Sequence, residues 1–505
     1  MICIIDCYTD EPSGLGVPPY LGTYPRYIVG AIEKLKEEYK YLRIDDLRFT
    51  YKNNKEEINR KTNISINNLS QNFKETEEIL SNADFIIVIA GMHTPGKYLT
   101  ANPGSIKEVS LLIEKFNGTK IITGPAAFAS LFSGGQKLSD NYKNFLEENF
   151  DYVVSGDLWG LLNKIIKGED FNPNLKFSYN ELKEIAPLGA GILKQINQPY
   201  MLEIETAKGC PRKNHCSFCL EPLKNQVAFR DYKDILDEVK ELNKNGGEHF
   251  RLGKQADFYS YPQIKELLTE LDKLKLKTLH IDNVDPASVV SKKGEEITKL
   301  ICKYCSEGNV AAFGVESFDP KVIKANNLHS HPQTIIKAIE IINKYGQKRG
   351  KKGLPLFLPG INLLLGLINE NKETLNINLE SLKEIFDKGL LLRRINIRQV
   401  DIFPNTQMSE IGSKFIRKNK KHYFSFKRKV REEIDFKMLE KVFPKGIILK
   451  DVYMEVFDGN HTFGKQLGTY PIVVGINKRV KLKEFYEVKI IKHQLRSLTG
   501  EVLIK

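Results

Sequence analysis

The chain has 505 residues, 41% apolar and 28% charged, enough for two or three domains with sizeable cores and ordinary for a soluble globular protein. No apolar run approaches the ~20 residues that cross a bilayer, and the start lacks the charged region and cleavage site of a signal peptide, so no membrane partner is expected. Seven cysteines, an odd number, fit a reducing cytoplasm better than a disulfide framework. The net charge of +13 is concentrated at one end: residues 411–505 hold 22 Lys and Arg against 10 Asp and Glu, and the rest 54 against 53. A basic tail on a nearly neutral body points to a polyanion as its partner.

Residues 1–165 alternate strands and helices. Ile2–Cys7 is an apolar strand, followed by the Gly/Pro-rich loop Asp10–Gly22 and a helical pattern over Tyr24–Tyr39. Asp84–Ala90 is a continuous apolar run, as in a parallel strand buried on both faces. Lys120–Pro125 and Asp151–Gly156 are two more strands ending at Gly or Pro. Four strands alternating with helices predict a doubly wound parallel sheet. Cys3 reads as core. Cys7, Asp10 and Glu11 stand at a strand's carboxyl end, where ligands tend to bind. Residues 166–198 read as a linker.

From residue 199 to 410 the alternation resumes. The alternating run Met201–Thr206 is a strand, and it leads into Cys210, Cys216 and Cys219, spaced C-x5-C-x2-C. Three thiols on a loop at a strand's carboxyl end suit soft metals and iron–sulfur clusters. A closed structural zinc wants four ligands. A zinc knuckle with His215 as fourth ligand is the alternative.

Gly209-Cys210-Pro211-Arg212, Cys216-Ser-Phe-Cys219 and Glu221-Pro222 resemble the cluster loop of radical S-adenosylmethionine (SAM) enzymes, with two residues more in the first gap than the commonest family spacing. That resemblance implies a partial (β/α)6 barrel, a 4Fe–4S cluster on the three cysteines, and S-adenosylmethionine completing the fourth iron. It also implies that a reduced cluster cleaves the cofactor to a 5′-deoxyadenosyl radical, which abstracts hydrogen from a substrate C–H bond. An electron donor such as ferredoxin or flavodoxin follows as a partner. Phe218, the aromatic before the last cysteine, matches the family pattern.

Further strand ends carry the same resemblance. Gly246-Gly-Glu248 precedes its strand and reads as a turn, so the methionine moiety is assigned to Gly253, Lys254 and Gln255 at the strand's end. Leu279–Val284 is the third strand, ending near Asp282, Asn283 and Asp285. Glu316 and Ser317, ending the fourth, match positions that contact ribose or the cofactor carboxylate. Gly360 and Asn362 fall in the fifth-strand region on the adenine side, and Arg398 on the sixth strand is assigned to the cofactor too. Cys302 and Cys305 lie on a helix and read as structural thiols.

The first domain resembles the cobalamin-binding type found in many such enzymes. Its D-x-H-x-x-G signature is missing from the first loop, and Gly91-Met-His93-Thr-Pro-Gly96 follows a later strand, so cobalamin is not expected. Residues 411–440 form a basic connecting segment with Phe415, Tyr423, Phe424 and Phe426 interleaved. In 441–505, short Gly-punctuated strands end in Arg496-Ser-Leu-Thr-Gly-Glu-Val502, which resembles the closing strands of the TRAM domain, a small β-barrel of tRNA methylthiotransferases. Basic residues with aromatics suit structured RNA such as tRNA. A cobalamin-dependent radical methyltransferase and a non-catalytic RNA-binding protein with a structural metal are the alternatives.

Overall fold

The computed structural model describes residues 1–8, 20–51, 68–91, 103–129, 140–197, 200–329 and 331–503. Asp10, Glu11, His93 and Gly96 lie outside the described residues. The chain divides into two compact units, Met1–Ile204 with Lys233–Phe250, and Glu205–Tyr232 with Arg251–Lys505.

The first unit is built on strands β1 (Ile2–Asp6), β3 (Tyr39–Arg43), β4 (Phe85–Ile89), β5 (Thr119–Thr123) and β6 (Tyr152–Val154). They form one parallel sheet in the order β3-β1-β4-β5-β6. β4, and β1 as far as Ile5, are apolar because both faces are covered. β3 is a fifth strand, where the sequence suggested the end of a helix. The helix closes at Leu35, with Lys36 in the left-handed region. The two-residue strand β2 (Tyr20–Leu21) pairs with β7 (Met201–Glu205), Tyr20 opposite Met201. Arg26, on the Thr23–Leu35 helix, is fully buried and forms an ion pair with the equally buried Glu238 of the Tyr232–Lys244 helix. Short helical turns over residues 179–195 pack on the Thr23–Leu35 helix. A Cβ on Gly189 would stand 2.2 Å from Arg26 O, so only glycine permits that approach.

The second unit begins as β7 ends. β8 (Ala207–Lys208) and β9 (Ala228–Phe229) pair antiparallel and bracket the cysteine loop. The strands β10 (His249–Gly253), β11 (Thr278–Ile281), β12 (Asn283–Val284), β13 (Asn309–Glu316), β14 (Phe357–Leu365) and β15 (Arg394–Gln399) alternate with helices. β12-β13-β14-β15 is a parallel sheet with β15 at its edge. The strand expected over Leu279–Val284 is broken at Asp282, and its halves join different sheets. The connecting segment is helical: Lys414–Lys429, a π turn at Val430–Asp435, then Phe436–Val442.

The last domain is a small closed β-barrel, as a TRAM-like domain requires. β16 (Ile448–Asp458), β17 (His461–Gln466), β18 (Val473–Ile476), β19 (Phe485–His493) and β20 (Ser497–Val502) close in the order β16-β17-β18-β20-β19. Register shifts at Met454/Val456, Leu449/Val452 and Ile490/Lys492 supply the bends that closure needs. Its β17–β18 loop docks on β11 and β12. Thr469 N–H donates to His280 Nδ1 at 3.0 Å, and Tyr470 O–H donates to Asp282 Oδ1 at 2.6 Å.

Candidate active site

The cysteine loop is clamped from three sides. Gly209 has φ +75°, and a Cβ there would meet Gln226 C at 2.7 Å, so glycine is required at the turn. Its N–H donates to Glu221 Oε1 at 2.9 Å, which closes the base of the loop. Ser217 N–H donates to Asn326 O at 3.0 Å, Ser217 Oγ lies 2.7 Å from Asn326 Oδ1, and Met408 N–H donates to Ser217 O at 2.9 Å. Cys216 and Phe218 pack on a cluster of Val322, Ile323, Leu367, Ile368, Val400 and Met408. The loop is therefore held against segments that follow β13, β14 and β15, at their carboxyl ends.

All three cysteines are half-buried free thiols. Burial pushes the Cys216 thiol up to about 12, while Arg212 pulls it down. Burial raises Cys219 too, and the neighbouring Cys210 adds to the rise. Arg212 Nη1 lies 3.5 Å from Cys216 Sγ, and Arg212 Nη2 is 2.8 Å from Asp285 Oδ2. Among the described residues, no three His, Cys, Asp or Glu side chains are already gathered at metal-holding distance, the three cysteines included. Three soft donors on one clamped loop, neighboured by a cation that favours thiolate, fit a cluster bound by one sulfur per iron.

Beside Cys210 and Arg212 a cavity of about 510 Å³ opens, lined also by Asp257, Asp285, Ser288 and His329. Asp285 Oδ2 accepts from His329 Nδ1 at 2.5 Å. Asp257 accepts Ser288 O–H at 2.6 Å and Asp285 N–H at 3.0 Å, and burial pushes it up to about 6. Asp285 was visible in sequence only as an acid at a strand end. Its pairing with Arg212 and His329 joins residues far apart in the chain.

The assigned cofactor residues divide into two groups. Glu316 has φ +62°, with Oε2 buried and unpartnered; burial pushes its carboxyl up to about 8, against the pull of Arg398 and Arg212. Asn362 accepts from Asn396 Nδ2 at 3.2 Å. Gly360 stands opposite Arg394, and a Cβ there would meet Arg394 Cγ at 2.8 Å. Arg398 is exposed on β15. Glu316 and Arg398, with Arg212 and the thiols, form one electrostatically linked set.

The others are spent internally. Gln255 is buried, takes Thr206 O–H at 3.1 Å and donates to Leu252 O at 3.2 Å. Ser317 is buried against Asn378 and accepts Asp319 N–H at 3.2 Å. Gly253 O accepts Thr206 N–H at 3.2 Å, and Lys254 turns the chain at φ +62°. Cys302 and Cys305 are free, and burial pushes Cys302 up to about 12. Cys3 and Cys7 are fully buried, and burial raises both thiols.

A model of the radical SAM superfamily matches residues 204–375, the stretch that carries the cysteine loop and β8 to β14. The chain belongs to the radical SAM superfamily. An uncharacterized protein of Methanocaldococcus jannaschii is 46% identical to this radical SAM protein over 99% of its chain and 93% of the relative's. A ribosomal protein uS12 methylthiotransferase of Clostridium acetobutylicum is 21% identical, over 64% of this chain and 69% of its own. The structure of TsrM, a radical SAM methyltransferase from Kitasatospora setae with cobalamin and a 4Fe–4S cluster bound, aligns with TM-score 0.52 at 14% identity, over 81% of this chain and 73% of that one. At that identity the likeness is one of fold. With this superfamily and these neighbours, the chain is an enzyme.

Proposed function

We propose that this radical SAM enzyme holds a 4Fe–4S cluster on Cys210, Cys216 and Cys219 and modifies a C–H bond of a structured RNA such as tRNA, in the manner of methylthiolation. The observation that carries it is the clamped three-thiol loop, linked through Arg212 to Glu316 and Arg398. Cys210, Cys216 and Cys219 would hold the cluster, which when bound and reduced would supply the one electron needed for reductive cleavage of S-adenosylmethionine and hydrogen abstraction from substrate. Phe218 shields the loop, Glu316 and Arg398 hold the cofactor's polar groups, and the inner row of Gly360 and Asn362 gives the adenine room.

The RNA reading is supported by the Lys414–Lys429 helix. Arg417, Lys418, Lys420, Lys421, Arg428 and Lys429 are exposed on it, Phe424 is 78% exposed among them, and no acidic residue interrupts residues 414–429. Cations with an open aromatic suit phosphates and an unstacked base. A ferredoxin or flavodoxin is the proposed reductant, and the cytoplasm the proposed location.

The test is anaerobic reconstitution with iron and sulfide, reduction with dithionite, and assay for 5′-deoxyadenosine with and without tRNA. Accumulation of 5′-deoxyadenosine, enhanced by tRNA, is the expected outcome; no cleavage of the cofactor contradicts the proposal. A second reading, radical methylation with cobalamin, is favoured by the likeness to the cobalamin-bound fold. Cobalamin co-purifying at near one per chain decides for it.

A further inference from the structure

Four cations from four elements meet beside β15, the edge strand of its sheet. Arg394 lies on the inner face of β15, its stem in the space that Gly360 leaves and its guanidinium 4.1 Å over the Tyr470 ring. Arg431, on the π turn, donates to Ile395 O at 2.7 Å and pairs with Asp435. Lys427 stands one helical turn before it. Arg496 sits in the β19–β20 hairpin, where Gln494 N–H donates to Ser497 O at 2.8 Å. Asp435 is the one carboxylate paired within this set: among the described residues, neither Arg394, Arg496 nor Lys427 has a carboxylate partner.

The cations feel one another. Arg431 is pushed down to about 9, by burial first and then by Arg496 and Arg394. Burial lowers Arg394 too, with Arg398 and Arg496 adding to it while Tyr470 and Asp282 pull it back up, and Lys427 is lowered by burial and Arg431. Gathering like charges in a half-buried place is unfavourable unless an anion joins them. S-adenosylmethionine does not meet that need, since its one carboxylate comes with an ammonium and a sulfonium. Arg398, beside Glu316, suffices for that carboxylate.

We infer that Arg394, Arg431, Arg496 and Lys427 form a binding site for a phosphate group of the substrate. Guanidinium forks match phosphate oxygens in geometry as well as charge. The site lies at β15, the edge strand of its sheet, and the Lys414–Lys429 helix that carries the exposed basic face continues into the π turn that holds Arg431. Arg394 and Arg398 lie on one face of β15, four residues or about 13 Å apart. The phosphate therefore belongs to a flanking part of the substrate, and these four are positioning residues. The RNA origin of that phosphate rests on the proposed function; the site itself does not.

The test uses the full-length reconstituted enzyme and two probes: inorganic phosphate at fixed ionic strength against chloride, read by thermal melting, and a short fluorescent RNA hairpin, read by anisotropy across salt. The Lys427→Ala/Arg496→Ala double variant should melt, without ligand, no lower than the natural enzyme, because two mutually repelling charges are gone. If it melts lower, Arg496→Gln alone carries the same comparison from the surface. Phosphate should raise the melting temperature of the natural enzyme and not of the variant. RNA binding should weaken roughly tenfold for each cation removed, and the slope of log affinity against log salt should fall by about two. Lys418→Ala/Lys421→Ala/Arg428→Ala should flatten the RNA slope and leave the phosphate effect intact. If the double variant loses the phosphate effect while RNA affinity is unchanged, the site stands and its phosphate comes from a small substrate, against the RNA reading. Phosphate protecting both proteins equally, or neither, overturns the site.

Discussion

The imidazole of His280 is held as one neutral tautomer: Nδ1 accepts Thr469 N–H at 3.0 Å, and Nε2 donates to Glu307 O at 3.1 Å. Burial pushes its pKa down to about 4. An unfolded chain protonates an ordinary histidine near pH 6.5, so between the two values the unfolded state binds more protons. The contribution is therefore complete above about pH 6.5 and is lost as pH falls to 4. At about 1.4 kcal/mol per unit, up to about 3 kcal/mol is involved. His280→Gln keeps an acceptor and a donor without the titration. Its urea midpoint should fall less between pH 6.5 and 4 than that of the natural protein; equal falls would refute this assignment.

Among elements, the Lys414–Lys429 helix shows how a basic segment is fixed to a barrel. Glu370 O accepts Asn419 Nδ2 at 2.8 Å, and Glu370 Oε1 accepts Tyr423 O–H at 2.7 Å. Ile416 packs onto Gly366, whose φ is +93° and whose added Cβ would stand 2.4 Å from Ile416 Cγ1. Gly366→Ala brings both backbone strain and overlap, worth about 1–3 kcal/mol. Trypsin should then cleave within residues 414–429 faster than in the natural protein, and unchanged cleavage would contradict the docking. Elements of this kind were unevenly legible in sequence. β1, β4 and β13 announce themselves because strands covered on both faces must be apolar. Tyr39-Lys-Tyr-Leu-Arg43 hides β3, since its charges are accommodated by partners elsewhere, such as Asn68 Oδ1 accepting from the Arg43 guanidinium. The cysteine loop was legible because ligand spacing is local. The internal partners of Gln255 and Ser317 were not legible, because Thr206 and Asn378 lie dozens of residues away in the chain.

At the scale of the whole molecule, charge and chemistry are placed by different rules. The excess positive charge sits in residues 411–505, where it lies on a helix face and on a hairpin that meets the edge of β15. The thiols sit in a nearly neutral body, on a loop that β8 and β9 bracket and that Asn326 and Met408 fasten. Everything proposed for the reaction depends on those three sulfurs holding a cluster. The direct measurement is iron and sulfide per chain, with the visible absorption spectrum, for anaerobically reconstituted natural protein and the Cys210→Ala/Cys216→Ala/Cys219→Ala variant. The account predicts one oxygen-sensitive 4Fe–4S cluster per chain in the natural protein and none in the triple variant. A triple variant that keeps a full complement of iron, or a natural protein that takes up one zinc and no iron, would contradict it.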